Sequence, residues 1–221
     1  MTVDTPLGAE RFFELGNVSR ETFARLQTYA ALLEKWQGAI NLVGRDTLPD
    51  LWRRHILDSA QVAALIAAKG KDGAPLTILD FGSGAGFPGL VLAIMAADDG
   101  RDWRVHLVES DTRKCAFLST VARETKTEVK IHSARIEKLP PFRADVVTAR
   151  ALAPLAILLE YAESFLQQGS ECVFLKGANA ADELTEAHKS WKMQVEQHPS
   201  RSGPAGCLLH IREISRVRSR S

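Results

Sequence analysis

The chain has 221 residues, of which 45% are hydrophobic and 25% charged, and its formal net charge is +1. These values exclude a disordered chain and argue against a strongly basic protein that binds nucleic acid nonspecifically. The three cysteines are far apart and odd in number, so we expect neither a disulfide framework nor a metal site. No run of 18 apolar residues occurs and the first residues lack a basic and apolar leader, so we expect a cytoplasmic protein without a membrane partner.

The first third of the chain predicts a helical extension. Apolar residues recur at spacings of three and four, which predicts a helix over 19–40 with Ser19 as its N-cap. A second helix is expected over about 47–68, and the stretch KGKDGAP follows it as a linker. We therefore divide the chain into an extension packed on the core, residues 1–75, and a core domain, residues 76–221.

The remainder alternates between strand-like and helix-like segments. Strands are predicted over 77–82, 104–109, 128–133, 145–149 and 171–176, and helices over 88–97, 113–124, 154–167 and 181–191. Such alternation is typical of a parallel sheet with helices on both faces. Two final strand-like runs, 193–197 and 207–214, have no helix between them and predict an antiparallel hairpin at the sheet edge. The predicted fold class is α/β, Rossmann-like, with a mostly parallel seven-stranded sheet.

A glycine-rich turn follows the first predicted strand. Residues 79–89 read LDFGSGAGFPG, and a helix-forming run comes next. A turn of this kind directs backbone N–H groups and a helix N-terminus at its ligand, and glycine permits a close approach. Gly82, Gly84 and Gly86 have G-x-G-x-G spacing, whereas the dinucleotide fingerprint G-x-G-x-x-G is met only by shifting to Gly84, Gly86 and Gly89. The turn therefore predicts a nucleotide-like ligand without selecting the cofactor.

An acidic residue ends the next predicted strand. Glu109 lies 23 positions after Gly86, and a parallel sheet would bring this strand end to the ligand crevice. A carboxylate at this point accepts hydrogen bonds from ribose hydroxyls. A solvated strand-end carboxylate is the structural alternative.

The combination of D-x-G-x-G-x-G, a strand-end acid and a terminal hairpin resembles the class I methyltransferases, which use S-adenosylmethionine. More narrowly, the chain resembles the ribosomal small-subunit methyltransferase G family, also called glucose-inhibited division protein B. The similar segments, spread over about residues 30–177, are EKWQGAINLVG, RRHILDS, LDFGSGAGFPGLVLAI, LVESDTRKCAFL, TARALAPL and FLKG. Gln37 stands where this family usually has Asn. The resemblance implies methyl transfer to a guanine N7 of 16S rRNA in the small ribosomal subunit.

The resemblance also implies a set of cofactor-binding residues, namely Asp80, Gly82, Gly84, Gly86, Phe87, Glu109, Ile136, Glu137 and Arg150. We expect Asp80 to orient the glycine turn or to reach the methionine amine, and Ile136 with Glu137 to flank the adenine. Arg150 is expected at the methionine carboxylate, because a cation against guanine would oppose the positive charge that methylation creates. A salt bridge from Arg150 to a nearby acid is the alternative.

No catalytic base is assigned. A guanine N7 already exposes a lone pair, so its methylation requires no proton removal, and alignment of the reacting atoms is sufficient in principle. Consistent with this, the segment TARALAP stands where methyltransferases of exocyclic amines have N/D-P-P-Y/F.

Basic residues give a second set of candidates, for RNA binding: Arg53, Arg54, His55, Lys176, Arg216, Arg218 and Arg220. A solvated charged face is the alternative for each cluster, and His55 is also readable as a structural histidine held by Asp58. We expect a monomer with no DNA partner.

Three other functions remain open at the sequence level. They are a small-molecule methyltransferase, a noncatalytic cofactor- or RNA-binding protein and, as the weakest, a nicotinamide dehydrogenase.

Overall fold

The computed structural model describes residues 5–67 and 73–217. Two predicted RNA contacts, Arg218 and Arg220, lie outside these ranges. Within them, every helix is too short or too polar to cross a lipid bilayer.

Seven strands form one sheet in the order β3-β2-β1-β4-β5-β7-β6. The strands are β1 (Leu76–Phe81), β2 (Trp103–Glu109), β3 (Lys130–Ser133), β4 (Val146–Arg150), β5 (Glu171–Lys176), β6 (Trp191–Pro199) and β7 (Cys207–Arg216). Neighbouring strands are parallel except where β7 meets β5 and β6. The predicted fold class, including the antiparallel hairpin at the edge, is confirmed.

The strand order reverses direction between β1 and β4. From β1 the chain crosses to β2 and β3 on one side, and then returns to β4 on the other side of β1. In open α/β sheets this switch point creates a crevice at the carboxyl ends of the two strands. The glycine turn follows β1 and Arg150 ends β4, so both features lie at this crevice.

Seven α-helices surround the sheet in the described part of the chain: α1 (Ala9–Gly16), α2 (Arg20–Gln37), α3 (Asp58–Ala60), α4 (Gly89–Ala96), α5 (Thr112–Glu124), α6 (Leu155–Glu163) and α7 (Ala180–Ala187). Helix α2 is the predicted first helix, and the hydroxyl of its N-cap, Ser19, accepts a hydrogen bond from the backbone N–H of Thr22 at 2.9 Å. Helix α1 was not predicted, because its eight residues are too few for a clear period.

The predicted helix over 47–68 is wrong as a regular helix. A 3₁₀ turn (Leu48–Asp50), a π-helical segment (Trp52–Leu57), α3 and a second 3₁₀ turn (Gln61–Ala64) succeed one another. All six residues from 55 to 60 are buried, so the segment lacks the exposed face of a surface helix. Tertiary contacts override a regular helix here, because the carbonyl of Arg54 accepts from Arg150 and both ring nitrogens of His55 are hydrogen-bonded. Short π-helical stretches of this kind are frequent at functional sites.

The hydrophobic core spans the sheet and the helical extension. All eight residues of α4 are buried, as expected for a helix that is apolar on every side. One continuous cluster joins Phe12, Leu26 and Tyr29 of the extension to Ile78 and Leu92 of the core. A division into two units at residue 75 stays a prediction.

The predicted helix over 181–191 is too long at its C-terminal end. Helix α7 stops at Ala187, and Trp191 begins β6 instead, paired with Arg216 of β7. Trp191 is 2% exposed and belongs to a second hydrophobic cluster, separate from the one that includes the extension. Tertiary packing therefore overrides the local helical pattern.

Candidate active site

A cavity of about 820 Å³ occupies the crevice at the carboxyl ends of β1, β4 and β5. The turn after β1, the loop after β4, the β6–β7 loop and the segment before α3 line it. It brings together the predicted site residues Gly82, Gly84, Phe87, Arg150, Arg54, His55 and Lys176. Residues predicted to bind the cofactor and residues predicted to bind RNA therefore line the same cavity.

The glycine turn has a backbone shape that other residues rarely adopt. Gly82, Gly84 and Gly86 have φ values of 58°, 58° and 102°. A Cβ atom on Gly86 would lie 2.7 Å from the hydroxyl oxygen of Tyr29 and 2.8 Å from the Cβ of Leu90. At Gly86, therefore, both the conformation and the close packing require glycine.

Asp80 lies beneath the glycine turn and outside the cavity lining. Its carboxylate accepts hydrogen bonds from the backbone N–H of Gly89 at 3.2 Å and from the hydroxyl of Thr148 at 2.8 Å. Complete burial raises the pKa of Asp80 to about 6, although the bonds from Thr148 and Gly89 act in the opposite direction. Of its two expected roles, this position favours orientation of the turn over contact with the methionine amine.

Glu109 connects the end of β2 to the glycine turn. One carboxylate oxygen accepts from the backbone N–H of Gly84 at 2.9 Å, and the other accepts from that of Asp111 at 2.8 Å. The side chain is thereby fixed beside the turn, where its remaining lone pairs can accept further hydrogen bonds.

Ile136 and Glu137 form a 3₁₀ turn after β3, beside the end of β2. The backbone N–H of Ala134 donates to the carbonyl of Glu109 at 3.1 Å, which ties this loop to the strand end. Glu137 is exposed and accepts a hydrogen bond from the hydroxyl of Tyr161 at 3.3 Å. Like Glu109 itself, neither residue lines the large cavity.

Arg150 is held by the segment before α3. Its guanidinium donates to the Nδ1 atom of His55 at 2.8 Å and to the carbonyl of Arg54 at 3.1 Å. A carboxylate oxygen of Asp58 lies 3.8 Å from the same group. The alternative salt bridge is thus present, while Asp58, expected to hold His55, instead faces Arg150.

His55 is a neutral link in a chain of hydrogen bonds. Burial and the charges of Arg150 and Arg54 lower the pKa of His55 to about 3. Because arginine can only donate, Nδ1 accepts from it, and Nε2 carries the proton that is donated to the Thr47 hydroxyl at 2.8 Å. That hydroxyl in turn donates to the carbonyl of Gly44 at 2.8 Å. This chain fixes the orientation of Arg150.

The aromatic ring of Phe87 is enclosed between the extension and the sheet. The ring of Tyr29 stacks on it with centroids 5.3 Å apart, while the Arg150 guanidinium carbon and the His55 ring lie 5.0 Å and 5.1 Å away. The Tyr29 hydroxyl also donates to the carbonyl of Ala85 in the turn. Helix α2 therefore supports the glycine turn directly.

The predicted RNA contacts do not form one cluster. Lys176 is 7% exposed at its side chain and pairs with Glu183 at 2.6 Å. Arg54 is exposed at the cavity, whereas Arg53 pairs with Asp50 at 3.2 Å and opens to a different groove.

Arg216 lies at the end of β7 that is opposite to the cavity. Because Cys207 pairs with Lys176 and β7 runs antiparallel to β5, the end of β7 is remote from the cavity. Arg216 is bound there to Glu163 at 2.8 Å and lies over the ring of Trp191.

Several contributing residues escaped the sequence analysis, among them Tyr29, Thr47 and Thr148. Tyr29 falls within the apolar periodicity of the predicted helix 19–40, and its polar group gave no separate signal. Threonines in a loop and in a buried strand carry no motif, so only the three-dimensional contacts identify them.

The profile of a protein family described as "rRNA small subunit methyltransferase G" matches residues 22–205. The chain belongs to this family. It is similar over 96% of its length to a protein of Paramagnetospirillum magneticum, 55% identical, and over 90% to one of Rhodospirillum rubrum, 56% identical. The alignments cover 99% and 94% of those proteins, both of which are named ribosomal RNA small subunit methyltransferase G.

Solved structures agree on the fold. A class I S-adenosylmethionine-dependent methyltransferase from Listeria monocytogenes, described as putative, has a TM-score of 0.62 at 14% identity, covering 97% of this chain and 72% of that one. A TehB-like methyltransferase from Corynebacterium glutamicum has a TM-score of 0.54 at 15% identity, covering 86% and 98%. At such low identities these structural similarities establish only the architecture. The family assignment rests on the family profile and the two relatives above.

Proposed function

We propose that the chain transfers a methyl group from S-adenosylmethionine to the N7 atom of a guanine in 16S rRNA, giving 7-methylguanosine. Family membership supports this reaction. The choice of N7 rests on one observation: the acidic and imidazole side chains that line the cavity are all hydrogen-bonded or ion-paired to other protein groups.

Every such group that lines the cavity, within the described ranges, is already engaged. His55 uses both ring nitrogens, and Asp58 accepts from Gln61 and from Ser200, both at 2.8 Å. Glu183 accepts from Lys176 and from the backbone N–H of Leu155. A guanine N7 has an available lone pair and needs no base, whereas methylation of an exocyclic amine requires loss of a proton. The cavity therefore suits N7 better.

The residues present fit S-adenosylmethionine. The cavity volume is within the range of small-molecule sites, about 300 to 1,000 Å³. Glu109 offers a carboxylate for ribose hydroxyls next to the glycine turn. Arg150 uses two of its five N–H donors on His55 and Arg54, which leaves donors for a carboxylate. When bound, this cofactor supplies a methyl group activated by a sulfonium.

The contribution of the chain itself is alignment. Holding two reacting atoms about 3 to 3.5 Å apart and in line contributes on the order of 7 to 11 kcal/mol to rate enhancement. Asp80 and Tyr29 hold the glycine turn from below, and the His55 chain holds Arg150 from the side. We assign Arg150 to the methionine carboxylate, because guanine becomes positively charged on methylation.

The substrate is proposed to be an assembled or partly assembled small subunit. A net charge of +1 provides little electrostatic affinity for naked RNA, so additional contacts are needed. Such a substrate also implies a cytoplasmic location. Action as a monomer stays a prediction.

The test is transfer of labelled methyl to small subunits from a strain that lacks this enzyme, with protein-free rRNA in parallel. Nucleoside mass analysis should find the label in 7-methylguanosine of subunit RNA. Label in an exocyclic N-methylguanosine would overturn the choice of N7. No label in either RNA, with cofactor binding intact, would favour a small-molecule methyltransferase or a noncatalytic protein.

A further inference from the structure

A second concave surface lies beside the cavity and is here called the N-terminal groove. It has a volume of about 620 Å³ and is lined by Thr5, Pro6, Leu7, Arg11, Leu15, Arg53, Leu57 and residues 200–204. Residues 202–204 line the cavity as well, so the β6–β7 loop forms a wall shared by the two spaces. A chain that leaves the cavity across this loop enters the groove.

Positive charge is concentrated along this path. The groove is lined by Arg11, Arg53 and Arg201 and by no acidic residue of the described chain. The cavity adds four basic side chains, Arg54, Lys114, Arg150 and Lys176, against the two acids Asp58 and Glu183. On a chain whose net charge is only +1, this arrangement is a local basic track of the kind that attracts phosphates.

Arg201 differs from the other two arginines of the groove in its ion pairing. Arg11 pairs with Glu14, and Arg53 pairs with Asp50, whereas Arg201 forms no ion pair with any residue in the described ranges. It is nevertheless positioned, because its backbone N–H donates to the side chain of Gln61 at 2.9 Å and its guanidinium donates to the carbonyl of Leu15 at 3.2 Å. Its charge is therefore exposed, fixed and available to an anion.

The loop that carries Arg201 is bound to the cavity wall. The hydroxyl of Ser200 donates to Asp58 at 2.8 Å, and the backbone N–H of Ser200 donates to the carbonyl of Gly206 at 2.9 Å, which closes the loop. Asp58 is the acid that faces Arg150. A phosphate bound at Arg201 would thus lie at a fixed position relative to the cavity.

We propose that the N-terminal groove binds the RNA backbone that flanks the target guanine, with Arg201 as its central phosphate contact. The inference rests on the proposed function and adds a binding surface to it. Phosphate contacts of this kind position the substrate and carry no base specificity. Arg201 consequently affects subunit binding and leaves the chemical step unchanged.

The experiment compares Arg201→Ala and Arg201→Lys with Arg123→Ala. Arg123 is an equally charged, exposed residue in the last turn of α5, paired with Glu124. The KM for unmodified small subunits and kcat are measured for each protein. Binding to a protein-free fragment of 16S rRNA is measured over a series of KCl concentrations.

For Arg201→Ala we expect the KM to rise about tenfold, as for loss of one charge-assisted hydrogen bond, with kcat and cofactor affinity unchanged. The slope of log K against log salt should become less negative by about 0.7, the value for one phosphate contact on a single strand. Arg201→Lys should restore most of that slope, because it keeps the charge. Arg123→Ala should match the wild type.

The outcomes separate the two proposals. If the wild type methylates subunits but Arg201→Ala behaves like Arg123→Ala, the groove assignment is overturned and the proposed function stands. A raised KM on subunits with an unchanged salt slope on RNA would assign the groove to a ribosomal protein and overturn the RNA contact. If the wild type forms no 7-methylguanosine, the proposed function and this inference both fall.

Discussion

Replacing Asp80 by Asn is expected to remove a pH dependence of stability that originates beneath the glycine turn. Burial raises the pKa of the Asp80 carboxyl to about 6 in the folded protein, whereas an unfolded aspartate has a pKa of about 3.9. Between these values the folded state holds one proton more than the unfolded state. Rising pH therefore lowers the free energy of unfolding across the window from about 4 to 6.

The magnitude follows from linkage. Each pH unit over which the two states differ by one proton changes the free energy of unfolding by about 1.4 kcal/mol. The window of about two pH units then gives about 3 kcal/mol. Asp80→Asn cannot ionise, and its amide can still accept from the Gly89 N–H while its NH₂ group donates to the Thr148 oxygen.

The assay is urea unfolding of both proteins from pH 4 to 7.5. The free energy of unfolding of the wild type minus that of Asp80→Asn should fall by about 3 kcal/mol over this range. Asp111→Asn is the control, because backbone N–H groups of Lys114 and Arg113 lower the pKa of Asp111, so that its contribution changes only below about pH 4. A difference for Asp80→Asn that is constant with pH would refute the raised pKa and the reasoning from burial.

Four further perturbations test the site. Glu109→Ala should weaken cofactor affinity at least tenfold, through loss of one charged acceptor. Charge reversal at Arg53 and Arg54 should instead raise only the KM for subunits. Equal loss of cofactor affinity in the two variants, measured by calorimetric titration, would contradict this division. Gly86→Ala should lower the free energy of unfolding by roughly 2 to 4 kcal/mol, because it combines a φ of 102° with close contacts, and an unchanged urea midpoint would count against it. Tyr29→Phe should cost about 1 kcal/mol in the same assay, since the carbonyl of Ala85 loses a buried donor, and a neutral result would show that water replaces the hydroxyl.

Local signals were sufficient for most of the fold. The alternation of strands and helices predicted a parallel sheet, and the run without a helix before Cys207 predicted the antiparallel hairpin. Ser19 was recognised as a cap because capping depends on a few neighbouring residues. The glycine turn was recognised from its local spacing, and Glu109 from its place at the end of a predicted strand; their cofactor-binding roles stay predictions.

The failures concern contacts between distant parts of the chain. Trp191 was assigned to a helix because its core position and its pairing with β7 are tertiary properties. Only half of the residues of the π-helical segment are buried, and its Arg54 carbonyl accepts a hydrogen bond from Arg150, a contact that no periodicity predicts. His55 and Arg150 are 95 positions apart in the sequence, so their hydrogen bond, and with it the neutral state of the histidine, could not be inferred from spacing.

The central claim is that this chain methylates N7 of a guanine in 16S rRNA. The most direct measurement is quantitative mass analysis of 7-methylguanosine in 16S rRNA from a host strain whose own enzyme of this family has been deleted, with and without a plasmid that expresses this chain. The account predicts that expression restores one 7-methylguanosine per small subunit. An unchanged nucleoside profile, with the expressed chain folded and able to bind S-adenosylmethionine, would contradict it.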